Sequence, residues 1–145
     1  MKVAFGCDHA GYALKEAVVA HLKEMGHEVV DFGCYTPERV DYPAQGEKAA
    51  RAVASGECQL GVLICGTGIG ISLAANRVHG IRAAVCSESY SAELTRRHND
   101  ANMIAFGARV VGEGTACAIL DAFFNAKFEG GRHAQRVAML DEIKP

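Results

Sequence analysis

Leu60 to Cys65 is an apolar run interrupted only by Gly61, and Gly66-Thr67-Gly68-Ile69-Gly70 follows it directly. A run like this, β-branched at Val62 and Ile64, fits a strand buried on both faces. Such a strand needs helices above and below it, which points to a mainly parallel sheet between two helical layers. The rest of the chain alternates accordingly. Val3 to Phe5 reads as a strand, and Leu14, Ala17, Val18, Leu22 and Met25 then recur at helical spacing up to Gly26. Glu28 to Phe32 reads as a second strand. A polar loop from Gly33 to Tyr42 leads to Pro43, which suits a first helical turn, and Gly56 closes that helix. Ile71 to Arg77 begins a helix, Ile81 to Cys86 is a fourth strand, and Ser87 to Arg97 is a helix capped by Ser87 or Ser89. Asn102 to Phe106 is a fifth strand. Thr115 to Phe128 is a helix with Cys117, Ile119, Leu120 and Phe123 inward. After Gly130-Gly131 a last helix runs from Arg132 toward Leu140.

The expected fold is therefore α/β: one domain over residues 1–145, a three-layer α/β/α sandwich on a Rossmann-like five-stranded parallel sheet. The Gly130-Gly131 pair lets the final helix leave the body, so that helix is expected to reach a partner subunit. The net charge of −2 implies no basic surface and no nucleic-acid partner. No apolar run approaches about 18 residues, so no membrane partner is expected either. The N-terminus lacks a signal-peptide pattern. Six cysteines, at 7, 34, 58, 65, 86 and 117, show no C-x-x-C pair, so free thiols, a cytoplasmic location and no metal site are expected.

Ligands of open α/β sheets bind beyond the carboxyl ends of the strands. The glycine loop there exposes backbone N–H groups at a helix start, an anion-binding nest. Three functions compete for it. A dinucleotide fingerprint needs Gly or Ala where Ile71 stands, although Glu88 lies at a suitable distance for a ribose-binding acid. A cysteine phosphatase needs Arg at that same position. Proton abstraction beside a carbonyl needs an oxyanion nest and a base, and Cys65 sits where a helix N-terminus can favour its thiolate. Asp8-His9 follow the first strand, either as a turn and cap or as ligand contacts. His98-Asn99 follow a helix, as a helix end or as a proton shuttle. Arg132 and Arg136 share a helix face, as a solvated surface or as a phosphate clamp that Arg109 would complete.

Gly6-Cys7-Asp8-His9-Ala10-Gly11, Asp41-Tyr42-Pro43, Cys65 to Gly70, Arg97-His98-Asn99, Phe106-Gly107-Ala108-Arg109 and Glu129-Gly130-Gly131-Arg132-His133 occur in order over nearly the whole chain. With these motifs the sequence closely resembles the type B ribose-5-phosphate isomerases, whose wider family includes galactose-6-phosphate isomerase subunits. The resemblance implies an aldose–ketose isomerase of the pentose phosphate pathway that needs no cofactor. The alternatives are action on a six-carbon phosphate (allose or galactose 6-phosphate) or a nucleotide-binding domain. By that resemblance Cys65 is the base, Thr67 and His98 assist ring opening with His98 as proton donor, and Asp8 contacts hydroxyls. Gly66, Gly68, Ile69, Gly70 and their neighbours, with Asn99, hold the enediolate. His9, Arg109, Arg132 and Arg136 gather round the phosphate. The resemblance also implies a site between the subunits of a homodimer, or of a tetramer built from it. Some members carry Glu just after the loop; Ile71 and Cys65 place this chain with the cysteine branch.

Overall fold

A computed structural model describes residues 1–145. The chain runs β1 (Lys2–Cys7), α1 (Tyr12–Glu24), β2 (Glu28–Asp31), α2 (Tyr42–Ala54), β3 (Leu60–Cys65), α3 (Ile69–Ala75), β4 (Ala83–Val85), α4 (Ser89–Asn99), β5 (Met103–Gly107), α5 (Glu113–Asn125) and α6 (Arg132–Glu142). All strand pairs are parallel, in the order β2-β1-β3-β5-β4.

Alternation along the central strands divides the interior into two cores. Val3, Phe5, Val62, Ile64, Ile104 and Phe106 pack with Val18 and Leu22 of α1, Ala92 of α4, and Ile119, Leu120 and Phe123 of α5. Ala4, Leu63, Cys65, Met103 and Ala105 face the other way, onto Ala49, Ala50 and Val53 of α2 and Ile71 and Ala75 of α3. This is the expected three-layer arrangement. Leu60 to Cys65 is buried throughout, as its composition demands.

Several boundaries differ from the sequence reading. β4 shrinks to Ala83–Val85 because it is an edge strand. Asn76 and Asn102 hold the backbone on its approach, by side-chain bonds to Ala83 and Arg82. The cap of α4 is neither serine: the Glu88 carboxylate accepts the Ser91 N–H at 2.8 Å. α3 starts at Ile69, inside the glycine loop, and α5 ends at Asn125. Cys117 is only half-buried rather than inward.

Candidate active site

The chain turns one way from β1 to β2 and the other way at β3, so β1 and β3 flank the switch point where open sheets bind ligands. Cys7 and Ile64 are register partners there, and Asp8 N–H donates to the Ile64 carbonyl at 3.2 Å. Asp8 is buried. One of its carboxylate oxygens accepts the Gly11 N–H at 3.0 Å, so it builds the turn into α1. The turn lies tight on β3: a Cβ on Gly11 would stand 2.4 Å from the Ile64 carbonyl oxygen. His9 is fixed through Nδ1 to the backbone of Val40, which leaves Nε2 for a ligand.

Cys65 ends β3, and the Gly68 N–H points at its Sγ, 3.1 Å away. A backbone donor thus sits on the sulfur at the mouth of the glycine loop. Gly68 has φ +80°, and a Cβ there would lie 2.7–2.9 Å from Phe106 backbone atoms. Only glycine brings the N–H onto the thiol with β5 this close. Thr67 is exposed, its Oγ1 accepting from Ile69 N–H at 3.2 Å. Arg109 N–H donates to the Gly66 carbonyl at 3.1 Å, and its guanidinium covers Gly66 closely enough to leave a Cβ only 3.0 Å from Nη1. No acid pairs with Arg109. The sequence reading missed Tyr42, whose ring lies so close over Gly70 that a Cβ there would be 2.7 Å from it. Its position in Asp41-Tyr42-Pro43 was the available signal.

Burial raises the Cys7 thiol to about 12 and the Cys86 thiol to about 11. Burial also raises Cys58 and Cys117.

The remaining expected residues lie elsewhere in the chain. α4 starts beyond β4 and runs back, so His98 and Asn99 stand at the amino ends of the strands. Gly61 and Met103 pair at that end, and Cys65 and Gly107 at the other. The six residues of β3 span about 20 Å at ~3.3 Å per residue, longer than a five-carbon sugar phosphate. α6 also belongs to the amino-end side. Glu129 N–H donates to the Arg97 carbonyl, His133 stacks on His98, and Asp141 lies 3.6 Å from Arg82, which precedes β4. Arg132 and Arg136 are exposed on α6 and carry no ion pair. The expected clamp is thus divided within one chain, Arg109 on one side and Arg132 and Arg136 on the other. A depression of about 600 Å³ lies on α1 against Asp31 and Tyr35 and contains none of the expected residues.

The nucleotide reading loses its acid, because Glu88 caps α4 at the end of β4 and β5 separates β4 from β3.

Residues 3–140 match the family model described as Ribose/Galactose Isomerase. The chain belongs to the ribose/galactose isomerase family. The Ribose-5-phosphate isomerase B of Escherichia coli K12 is 57% identical over 143 residues, 99% of this chain and 96% of that protein. Galactose-6-phosphate isomerase subunit LacB of Clostridium acetobutylicum is 42% identical over 144 residues, 99% of this chain and 83% of that one. The solved Ribose-5-Phosphate Isomerase B of Clostridium thermocellum superposes with a TM-score of 0.96 at 56% identity, over 98% of this chain and 96% of that one. The type B resemblance seen in the motifs therefore holds over the whole fold of this family member.

Proposed function

We infer that this protein interconverts D-ribose 5-phosphate and D-ribulose 5-phosphate, as an aldose–ketose isomerase whose site is completed by a second copy of the chain. The observation that carries this is the Gly68 N–H aimed at Cys65 Sγ with the unpaired Arg109, from the turn after β5, over Gly66: a base, an oxyanion nest and an anion anchor at one end of the sheet. The 57% identity to a protein named for that activity, against 42% to the galactose-6-phosphate isomerase subunit, favours the five-carbon sugar.

In the proposed reaction the furanose first opens. His98 protonates the ring oxygen and Thr67 assists at the anomeric hydroxyl. The Cys65 thiolate then takes the proton from C2 of the open aldehyde, and the C2 electron pair moves to form the enediolate. N–H groups of Gly66 to Gly70, together with Asn99, hold that charge. A proton passes from O2 to O1 of the enediolate, the thiol returns its proton to C1 as the C2 carbonyl forms, and the ketose results. Asp8 contacts sugar hydroxyls through the oxygen its turn leaves free. His9, Arg109, Arg132 and Arg136 bind the phosphate, which positions the reacting carbons. No step calls for a metal or organic cofactor.

A two-fold dimer reconciles this scheme with the divided geometry. It would bring the amino-end residues His98, Asn99, Arg132 and Arg136 of one copy to the glycine loop of the other, twice over. Exposed apolar side chains at the carboxyl-end elements support it: Ile69 is 53%, Leu73 63% and Tyr90 72% exposed. Six free cysteines, with the Cys7 and Cys34 sulfurs in hydrogen-bond contact at 3.7 Å and not a disulfide, suit a reducing compartment such as the cytoplasm.

The test is conversion of ribose 5-phosphate with EDTA present, for the wild type and for Cys65→Ala. Activity lost in a folded mutant supports the reading. A folded wild type inert on ribose 5-phosphate but active on allose or galactose 6-phosphate would replace the substrate, and one inert on all three would sink the isomerase assignment.

A further inference from the structure

Glu129 has no part in the scheme above, yet it is the hub of the amino-end cluster. Its Oε2 accepts from Arg97 Nε at 2.6 Å and lies 3.7 Å from His98 Nε2, and its Oε1 lies 3.9 Å from His133 Nε2. Its own N–H donates to the Arg97 carbonyl at 3.0 Å, just before the Gly130-Gly131 turn into α6. Arg97 is itself held by Glu93 at 2.8 Å.

The His98 and His133 rings are stacked, with centroids 4.3 Å apart and planes 6° from parallel. Ligand atoms of the two histidines and Glu129 all lie within 4.8 Å of one another, which invites a metal reading. Parallel rings argue against it, because their ring-plane lone pairs run side by side instead of converging on one ion. The stack instead suits two rings that are not both charged. Two imidazoliums face to face repel. Burial first, then the charges of His98 and Arg132, hold His133 below the ordinary histidine range. His133 is thereby held as a neutral ring against the face of His98. The Arg97 bond keeps Glu129 ionised, holding its carboxyl below the usual range. An ionised carboxylate 3.7 Å from His98 Nε2 orients that ring and leaves Nδ1 free to face a substrate.

We propose that Glu129 is a positioning residue for ring opening, holding His98 between its carboxylate and the stacked face of His133. This rests on the isomerase reading above. It concerns the ring-opening step alone and leaves proton transfer at carbon to Cys65.

Ribulose 5-phosphate separates those steps. Its only hydroxyl placed to close a five-membered ring on the ketone is the phosphorylated one, so it binds already open. Exchange of its C1 hydrogen for solvent deuterium needs Cys65 and the glycine loop but no ring opening. In Glu129→Gln, conversion of ribose 5-phosphate should fall about tenfold or more, a fraction of what a general acid supplies. Saturated C1 exchange should stay within about twofold of wild type, since its base is untouched. Glu129→Asp should recover part of the conversion. His133→Asn, which keeps the carboxylate but removes the stack, should show the same split if Glu129→Gln does not fold. An equal fall in both readouts, or no fall in either, overturns the proposal. A wild type with neither activity overturns the isomerase reading itself.

Discussion

Replacing Gly68 with alanine tests the glycine loop most sharply, because two penalties meet there and each can be measured elsewhere alone. Gly26 has φ +91° with nothing within 4 Å of a built Cβ, so Gly26→Ala measures left-handed strain by itself. That strain is about 1–2 kcal/mol. Gly107 shows no left-handed φ, but a Cβ there would meet Thr67 Cα at 2.5 Å and the Gly66 carbonyl oxygen at 2.6 Å. Gly107→Ala therefore measures close approach of backbone to backbone, with overpacking of about 1–3 kcal/mol or more. Gly68 combines φ +80° with Phe106 backbone atoms 2.7–2.9 Å away. The two terms together give about 2–5 kcal/mol for Gly68→Ala. At ~2–4 °C per kcal/mol for a chain of this size, Tm should drop by roughly 4–20 °C. Urea melts of the three variants at one protein concentration check the ordering, since association would shift the midpoints. Activity should follow stability only for Gly26→Ala. Gly68→Ala should also lose turnover, because the N–H that donates to Cys65 Sγ moves. A Gly68→Ala protein no less stable than Gly26→Ala, with normal turnover, would refute the close-approach reasoning.

Arg132→Ala combined with Arg136→Ala should raise KM for ribose 5-phosphate by about tenfold or more, as loss of charge-assisted phosphate bonds predicts; an unchanged KM would mark a merely solvated helix face. Arg109→Ala should weaken inhibition by inorganic phosphate, measured as an increase in Ki, because its guanidinium covers the loop without an acidic partner. The buried, depressed His133 binds fewer protons folded than unfolded, so stability should decline as pH falls below the unfolded histidine value of about 6.5. His133→Gln should flatten that slope in pH-dependent urea melts, and an identical slope would assign it to other groups such as His27, whose burial also depresses it.

Local patterns explain what could be read in advance. The alternation of Val3 to Phe5, Leu60 to Cys65 and Asn102 to Phe106 with helical repeats specifies a three-layer parallel sheet, because burial on both faces leaves few other solutions. The glycine loop was equally legible, since three glycines after a buried strand have few other uses. Strand order was not: β5 lies between β3 and β4 through contacts that no local window contains. His98 and Asn99 stand apart from Cys65 because a helix that starts at one end of a sheet finishes at the other. Glu88 displaced two serines as the α4 cap, a choice set by an extended backbone at Glu88. Glu129 and His133 stood in a quoted motif at i, i+4 spacing, yet only the fold shows them meeting His98.

The central claim is a site shared between two copies, and mixing complementary variants tests it directly. Cys65→Ala damages the carboxyl-end half, and a chain carrying His98→Asn with Arg132→Ala damages the amino-end half. Each should be nearly inactive on ribose 5-phosphate alone. Co-expressed in equal amounts, half the dimers are mixed and one of their two sites is intact, so activity should return to about a quarter of wild type. A mixture no more active than its separate components would place every essential residue within one chain and contradict the account.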